Sequence, residues 1–542
     1  MSRAPSRARH RGTLLLLVVA ALGVLATPVS VASATAAAPS SVAGTTTPGP
    51  LLPTGAPADV DPLNRQAPSG VQLPQSRPAE ASASGSGLSA LGWAGVAVLV
   101  LVSLAMTGVA FTTLAWMLHA WRTPEHLIAT RFTPDTGEGR RSRFSLLVPG
   151  RHEEEVMGDT LDRLAEIDYD DLEIIAIVGD DDPGTAEVAR AAARRHPGRV
   201  RVVVDSSVPK NKPKALNTAL AHVTGDVVGV FDAEDEVHPR LISNVDARLR
   251  ATGADIVQGG VQLMNVHTSW WSMRNCLEYY FWFRSRLHFH AGQRFIPLGG
   301  NTVFIRTPLL REVDGWDPEC LAEDCEIGVR LSTRGAQVAV AYDPELVTRE
   351  ETPGTLPSLI KQRTRWNQGF LQVLRKGIWK ELPTRRQRLL ARYTLSMSFL
   401  QAFTGLMIPV SLALVLFAKV PTWVSLITFL PLVPTVVTLA VEAAGLHEFG
   451  RAYDVRVRLR DYLVLALGTF PYQVLLAGAA VRAVVREKRG DHGWEKTEHS
   501  GIHRPPATLT DDAPTDAVVI DLRDGVRVRS GAQDDARTSN AS

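Results

Sequence analysis

The sequence predicts an α/β protein with a mainly parallel sheet, flanked by transmembrane helices. Three observations predict it. Between residues 142 and 376 short apolar runs alternate with helix-like stretches. Acidic and polar residues gather where several of those runs end. On both sides lie stretches almost free of charge, of the roughly 20 residues needed to cross a bilayer.

Composition narrows the class. The 542 residues leave room for a large domain with additions, and the net charge of +2 argues against nucleic acid as a partner. The three cysteines, Cys276, Cys320 and Cys325, all fall in the central domain. An odd count implies no disulfide framework. Cys320 and Cys325 lack a second ligand pair, so buried or surface thiols are favoured over a metal site.

Taken in order, the chain begins with Arg3, Arg7, Arg9 and Arg11, followed by the apolar run Leu14–Leu25 and then Ala32-Ser33-Ala34. Residues 1–35 thus read as a signal peptide or a first membrane anchor, and the shortness of the run favours the signal. Residues 36–87, rich in Pro, Ser and Ala, read as a disordered linker. Residues 88–120 form a transmembrane helix whose arginine-rich end, with Arg122, Arg131, Arg140 and Arg141, faces the cytosol. The catalytic candidate occupies 140–376. Its strands are expected at Phe144–Val148, Leu172–Val178, Val200–Val204 and Asp226–Phe231. Two more transmembrane helices are expected within 393–446. Residues 462–485, broken by Pro471 and closed by Arg486, Lys488 and Arg489, read as a re-entrant or interfacial hairpin. Residues 502–542 read as a disordered tail.

Parallel sheets place ligands at the carboxyl ends of their strands. There stand Arg151, His152 and Glu153, then Asp180, Asp181 and Asp182, then Asp232, Glu234 and Asp235. Asp232 and Glu234, at i and i+2, can share a hard divalent cation such as Mg2+ or Mn2+, which commonly takes one or two carboxylates plus substrate phosphates. Glu323 and Asp324 open a helix. They are either N-terminal caps, or Asp324 is a general base for an acceptor hydroxyl. Gln362, Arg365 and Trp366 share one helical face and suit a diphosphate and a sugar ring. Lys210, Lys212 and Lys214 form either a solvated face or a phosphate contact. Gly299-Gly300-Asn301 is a tight turn. Trp270–Arg284 is dense in aromatics, as in core or interface packing or a sugar-stacking channel.

Together VPGRHEE (148–154), VGDDD (178–182), PKALN (213–217), FDAED (231–235), PLGGN (297–301), AEDCE (322–326) and QRTRW (362–366) resemble the processive family 2 glycosyltransferases, which include cellulose, hyaluronan and poly-N-acetylglucosamine synthases. Trp494-Glu495-Lys496-Thr497 looks like a W-x-K-T element of membrane-bound relatives. The resemblance implies a cytosolic GT-A-type domain at the plasma membrane. It implies that Pro149, Arg151, Glu153, Asp180, Asp181, Lys214 and Asp232 bind the nucleotide, with Asp232 and Glu234 on the metal. Asp324, beside Glu323, would be the base of an inverting displacement. Gln362, Arg365 and Trp366 would hold the diphosphate and the glycan end. Two departures stand out: Asp-Ala-Glu in place of Asp-x-Asp, and Asp-Asp-Asp-Pro in place of Asp-Asp-Gly-Ser.

The expected activity is transfer of a sugar from a nucleotide-sugar donor to a growing polysaccharide. Rivals are single-sugar transfer to a lipid or lipid-linked acceptor, and a catalytically silent membrane scaffold. The expected partners are the donor, a glycan acceptor and the lipid bilayer. With only two full spans expected after the domain, the expectation is either an accessory subunit or homo-oligomer that completes a polysaccharide channel, or short products.

Overall fold

All four apolar runs at the start of the central segment become strands. The computed structural model describes residues 90–135, 137, 139–417 and 421–495. In it, β1 is Phe144–Gly150, β2 Leu172–Gly179, β3 Val200–Asp205 and β4 Val227–Val230. Leu147, Ile175 and Ile177 pack on one face of the sheet with Leu216 and Leu277. Leu146, Val148, Ile174 and Ala176 pack on the other with Leu161 and Val245. Period-two alternation with both faces buried is what a sheet covered by helices on both sides requires.

The remaining strands are β5 (Ile256–Gly259), β6 (Val261–Leu263), β7 (Val303–Arg306), β8 (Val338–Ala341) and β9 (Thr348–Glu350). The main sheet has the order β3-β2-β1-β4-β7-β5-β8, and β6 pairs with β9 beside it. Strands β1, β2, β3 and β4 are mutually parallel, as are β5 and β8, while β7 runs antiparallel to both neighbours. The expected mainly parallel sheet is therefore present. The chain leaves β1 towards β2 and β3, then crosses to place β4 on the opposite side of β1. The carboxyl ends of β1 and β4 border this reversal, where open sheets form a ligand crevice.

The principal helices are α1 (Ala90–Met117), α2 (Met157–Ala165), α3 (Pro183–Arg195), α4 (Lys212–Leu220), α5 (Leu241–Thr252), α6 (Trp270–Phe281), α7 (Glu323–Thr333), α8 (Leu356–Lys376), α9 (Arg385–Phe417), α10 (Leu432–Ala452) and α11 (Leu459–Arg489). Helix α8, which carries QRTRW, has both ends fixed by sequence. Thr355 accepts a hydrogen bond from Ser358 N, Pro357 occupies the first turn, and Gly377 ends the helix at φ 77°.

The chain divides into two compact units, residues 1–114 with 406–438, and residues 115–405 with 439–542. The described part of the first is helical. The second contains the sheet and all the candidate site residues. Among the described residues, Gly92–Met117, Thr422–Ala452 and Leu459–Arg489 are long and apolar enough to cross a membrane. The first two fall on expected spans. The span expected from Tyr393 lies in α9, which is not among the three. The readings for 1–35, 36–87 and 502–542 lie outside the described residues.

The hairpin expected over 462–485 does not form: α11 runs unbroken through Pro471. Its buried positions show why. Asp461, Leu465, Gly468, Tyr472, Ala479, Ala483 and Arg486 recur every three or four residues, apart from one turn, without a change of phase at the proline. Contacts hold the helix on both sides of it. Gly468 lies against Trp270, and Tyr472 donates to Glu278 at 2.8 Å. A proline removes one backbone bond, and packing offsets that loss here. The opposite face exposes Leu459, Leu463, Leu467, Phe470, Val474 and Val481.

Candidate active site

The site is assembled where α8 presses on the start of α7. A Cβ on Gly369 would lie 2.5 Å from Ala322 N, so only glycine permits this approach. Two positions before Glu323, Leu321 N donates to Gln372 Oε1 at 2.9 Å. Glu323 and Asp324 follow in the first turn of α7, and Cys325 N donates to Asp324 Oδ1 at 2.7 Å. The helix terminus favours these carboxylates, but burial opposes ionisation. Burial and the neighbouring Asp324 push Glu323 up to about 7, and burial also raises Asp324. A Cβ on Gly300 would stand 3.1 Å from Asp324 Oδ2, a tight contact, so the bare backbone of this turn lies close against that oxygen.

Lys212, in the first turn of α4, pairs with Asp232 Oδ1 and donates to Gly300 O at 3.0 Å. Burial would lower its pKa, but Asp232, Glu323 and Asp324 together raise it. Arg365 on α8 shows the opposite balance. Burial lowers it while Glu323, Asp232 and Asp324 hold it up. Two cations and three carboxylates thus share one electrostatic neighbourhood. Asp232, Glu323, Asp324 and Arg365 were all predicted. In the sequence Lys212 is only one of three lysines, and the resemblance points to Lys214 for the nucleotide. The Lys214 ammonium instead reaches Val208 O at 3.3 Å and Glu319 at 4.0 Å.

Beneath Asp232 lies a buried polar cluster that sequence reasoning did not assemble. Asp232 N donates to Asp235 Oδ2 at 2.8 Å, and Asn301 donates to both Asp235 and Glu350. Burial, then neighbouring carboxylates that include Glu234, push Asp235 and Glu350 well above the usual carboxylate range. Glu234 is 6% exposed and belongs to this inner group, whereas Asp232 is partly exposed. The structure does not bring the predicted metal pair to an equally open position. The Gly299-Gly300 turn is fixed by Gln258, whose Oε1 accepts from Gly299 N at 2.8 Å and whose Nε2 donates to Asn301 O at 3.1 Å. Asn301 and Asp235 were quoted in motifs. Gln258 and Glu350 carry no local signal.

At the ends of β1 and β2, Arg151 pairs with Asp181 at 2.6 Å and Lys210 with Asp180 at 2.7 Å. Pro149 closes β1, and buried Glu153 follows it. Asp182 caps α3, accepting from His152 N at 2.6 Å and from Thr185 N at 3.2 Å. His152, Glu154 and Asp182 have the spacing of a metal cluster. The hydrogen bonds to Asp182 account for its position without an ion.

On α8, the Arg365 guanidinium stacks 4.4 Å from the Trp494 ring and donates to Glu495 O at 3.3 Å. Part of the W-x-K-T element therefore lies over the predicted diphosphate arginine. Trp366 is 6.3 Å from Tyr279, with the Arg363 guanidinium 4.6 Å above its ring. Gln362 Oε1 is buried with no hydrogen-bond partner among the described residues. Most of the aromatic stretch 270–284 is core: Tyr280, Phe281 and Phe283 pack in the main cluster, leaving Tyr279 beside Trp366.

Residues 141–369 match the family model described as "Glycosyltransferase like family 2". A probable glycosyltransferase of Bacillus subtilis is 25% identical over 254 residues, covering 46% of this chain and 60% of that protein. A beta-monoglucosyldiacylglycerol synthase of Synechocystis is 27% identical, covering 42% and 47%. A poly-beta-1,6-N-acetyl-D-glucosamine synthase of Staphylococcus epidermidis is 24% identical, covering 45% and 58%. The chain thus spans about half to three fifths of the length of these relatives. Among solved structures, a mannosyltransferase of Pyrobaculum calidifontis in complex with GDP-Man and Mn2+ aligns with a TM-score of 0.46 at 19% identity, covering 72% of this chain and 99% of that one. The matching family model and the glycosyltransferase relatives fall on the segment that holds the assembled carboxylates and cations, so residues 141–369 form a domain of the family 2 glycosyltransferase type.

Proposed function

We propose that this chain is a membrane-embedded, inverting glycosyltransferase that moves a sugar from a nucleotide-diphosphate donor, UDP-linked in the first instance, to a growing polysaccharide. One observation carries the reading. Asp324 shares one electrostatic neighbourhood with Lys212, Arg365, Glu323 and Asp232, and the side-chain-free Gly300 lies close against its Oδ2. Asp324 accepts the proton of an acceptor hydroxyl as that oxygen attacks the anomeric carbon. Burial raises its pKa, which strengthens it as a base. Lys212 and Arg365 offset the charge that builds on the departing diphosphate. Arg151, Asp180 and Asp181 hold the nucleoside at the ends of β1 and β2, with Pro149 and Glu153 shaping its floor. Trp366 and Tyr279 offer aromatic faces to the glycan end, and Gln362 brings an unused acceptor.

The residues fit a divalent cation through Asp232, a hard oxygen donor in a site with an excess of carboxylates, with Glu234 as the inner member of the motif. Mg2+ or Mn2+ bound there would neutralise the diphosphate. The orientation proposed is a cytosolic domain at the plasma membrane, from the arginines that follow α1. The exposed apolar stripe of α11 supports contact with the bilayer. That stripe, and the likeness to a synthase of a glycosylated diacylglycerol, also favour a second reading: transfer of one sugar to a lipid.

The test is incorporation from labelled UDP- and GDP-sugars by the full chain in lipid, with Mg2+ or Mn2+, followed by sizing of the product. Long product from one donor is expected. A lipid carrying one sugar selects the second reading, and absence of both turnover and nucleotide binding rejects the enzyme roles assigned here.

A further inference from the structure

Cys325, the neighbour of Asp324 in sequence, lines a cavity of about 50 Å³. Its lining includes Trp282, Arg286, Cys325, Phe370, Thr394 and Gln401. Cys325 directly follows the proposed base, and Phe370 directly follows Gly369, so the cavity adjoins the seat of α7 on α8. Arg286 ends the five-residue π-turn Trp282–Arg286 that follows α6. Such turns interrupt regular helix hydrogen bonding and recur at functional sites.

Arg286 is the unusual member of this lining. Its guanidinium lies between two indoles, 4.2 Å from the Trp116 ring and 4.7 Å from Trp282. Its Nε is buried without a hydrogen-bond partner, and no carboxylate pairs with it among the described residues. Burial pushes it down to about 10. Thr394 Oγ1, also on the wall, is buried without a hydrogen-bond partner among the described residues. Every other arginine described around the site has a defined acceptor: Arg151 on Asp181, Arg363 on Glu278, Arg365 on Glu495 O. A buried guanidinium without an anion is costly, and aromatic faces compensate only part of that cost.

We propose that Arg286, with Thr394, receives an anionic group of the acceptor, a phosphate or a carboxylate, and so orients the acceptor hydroxyl towards Asp324. This rests on the proposed function and deepens it, because it makes the acceptor acidic. Size limits the ligand. A cavity of 150 Å³ holds a benzene ring, so one of about 50 Å³ takes a single charged group rather than a pyranose. Planar, multiply donating guanidinium suits oxyanions of either kind. The chemistry is common to a lipid phosphate and to a uronic-acid residue of a glycan.

The experiment uses the full chain in nanodiscs, with UDP and Mn2+ at saturation so that diphosphate contacts are filled. Glycerol 3-phosphate, glucuronate, and neutral glycerol and glucose are titrated by calorimetry into the wild type, Arg286→Gln and Arg286→Lys. UDP binding is measured separately in each protein. The expected result is binding of one anion, lost by about tenfold or more in Arg286→Gln and partly restored in Arg286→Lys, with UDP affinity unchanged and the neutral compounds inert. Preference for glycerol 3-phosphate points to a lipid headgroup, and preference for glucuronate to an acidic glycan. Equal binding of charged and neutral compounds, or anion binding insensitive to Arg286, overturns the proposal, as does absence of anion binding while UDP still binds. Loss of UDP binding in the wild type overturns the donor reading instead, and the anion titration, repeated without UDP, still decides the role of Arg286.

Discussion

The two halves of the site use charge in opposite ways. At the ends of β1 and β2, Asp180 and Asp181 keep about half of their side chains in water, 51% and 43%, each paired with one cation. Across Asp232, Glu323 is only 5% exposed and shares its surroundings with Asp324, Lys212 and Arg365. Exposed pairs exchange partners at little cost and suit recognition of a ligand that enters and leaves. Buried carboxylates are shifted by desolvation and by one another, which is how a side chain gains basicity near neutral pH. Substitutions on the buried side should therefore act on chemistry, and substitutions on the exposed side on donor affinity.

The largest effect is expected for Asp324→Asn. Loss of a general base costs about 10²–10⁴-fold, so transfer should fall by ~10³ while UDP affinity, read by calorimetry, stays within a factor of two or so. Equal loss of both would assign Asp324 a structural role. The pH profile sharpens the point. Glu323 is raised to about 7, so it gains a proton as pH falls through neutrality, and Asp324 is raised in the same direction. The acidic limb of kcat/KM should lie above the ordinary carboxylate value, with activity lost on its acid side. The same sign governs stability: between the usual carboxylate value and about 7 the folded chain binds more protons than the unfolded one, so stability declines as pH rises through that window.

Next in size is the contrast between two lysines separated by one residue. Lys212→Met removes the cation that faces Asp232, Glu323 and Asp324. Loss of one group that stabilises developing charge costs about 10²–10³ in kcat, so activity should drop by more than ~10², and the acidic limb should move to higher pH. Lys214→Met, which loses only a 4.0 Å approach to Glu319 and a bond to Val208 O, should leave activity within about threefold. Equal effects would return the nucleotide role to Lys214.

Those lysines also mark where sequence reading stops. Period and strand-end chemistry made β1 to β4, the Asp232 turn and the α7 terminus legible, because each is a local pattern. Which of Lys210, Lys212 and Lys214 turns inwards depends on how α4 is placed against Gly300 and Asp232, a contact across 88 positions of sequence for the Gly300 bond. The Asn301–Glu350 bond unites the turn before β7 with the end of β9 in the same way, and no local spacing announces it. In α11 the local rule misleads. Pro471 signals a break, yet the buried stripe from Asp461 to Arg486 keeps one phase through it, and contacts with Trp270 and Glu278 hold the helix on both sides.

A smaller effect is expected where α8 touches α7. Gly369→Ala places a methyl 2.4 Å from Ala322 Cβ and 2.5 Å from Ala322 N, so the helix must retreat or the turn carrying Glu323 and Asp324 must move. Overpacking of this kind costs about 1–3 kcal/mol. Gly95, whose surroundings are empty within 4 Å, is the control. Gly369→Ala should lower the melting temperature and reduce kcat by about tenfold, whereas Gly95→Ala should do neither. Unchanged kcat at lowered stability would show that α8 braces the fold without setting the position of the base.

The smallest effect tests the exposed half. Asp181→Asn breaks the 2.6 Å pair with Arg151, whose side chain is 46% exposed. Exposed pairs contribute about 0–1 kcal/mol to stability, so the melting temperature should hardly change. A neutral Asn keeps hydrogen-bonding capacity but releases Arg151, so donor KM should rise by less than about fivefold with kcat intact. A matching fall in kcat would mean that Asp181 contributes to the transition state, and the division between an adaptable recognition half and a desolvated chemical half would then run on the other side of β2.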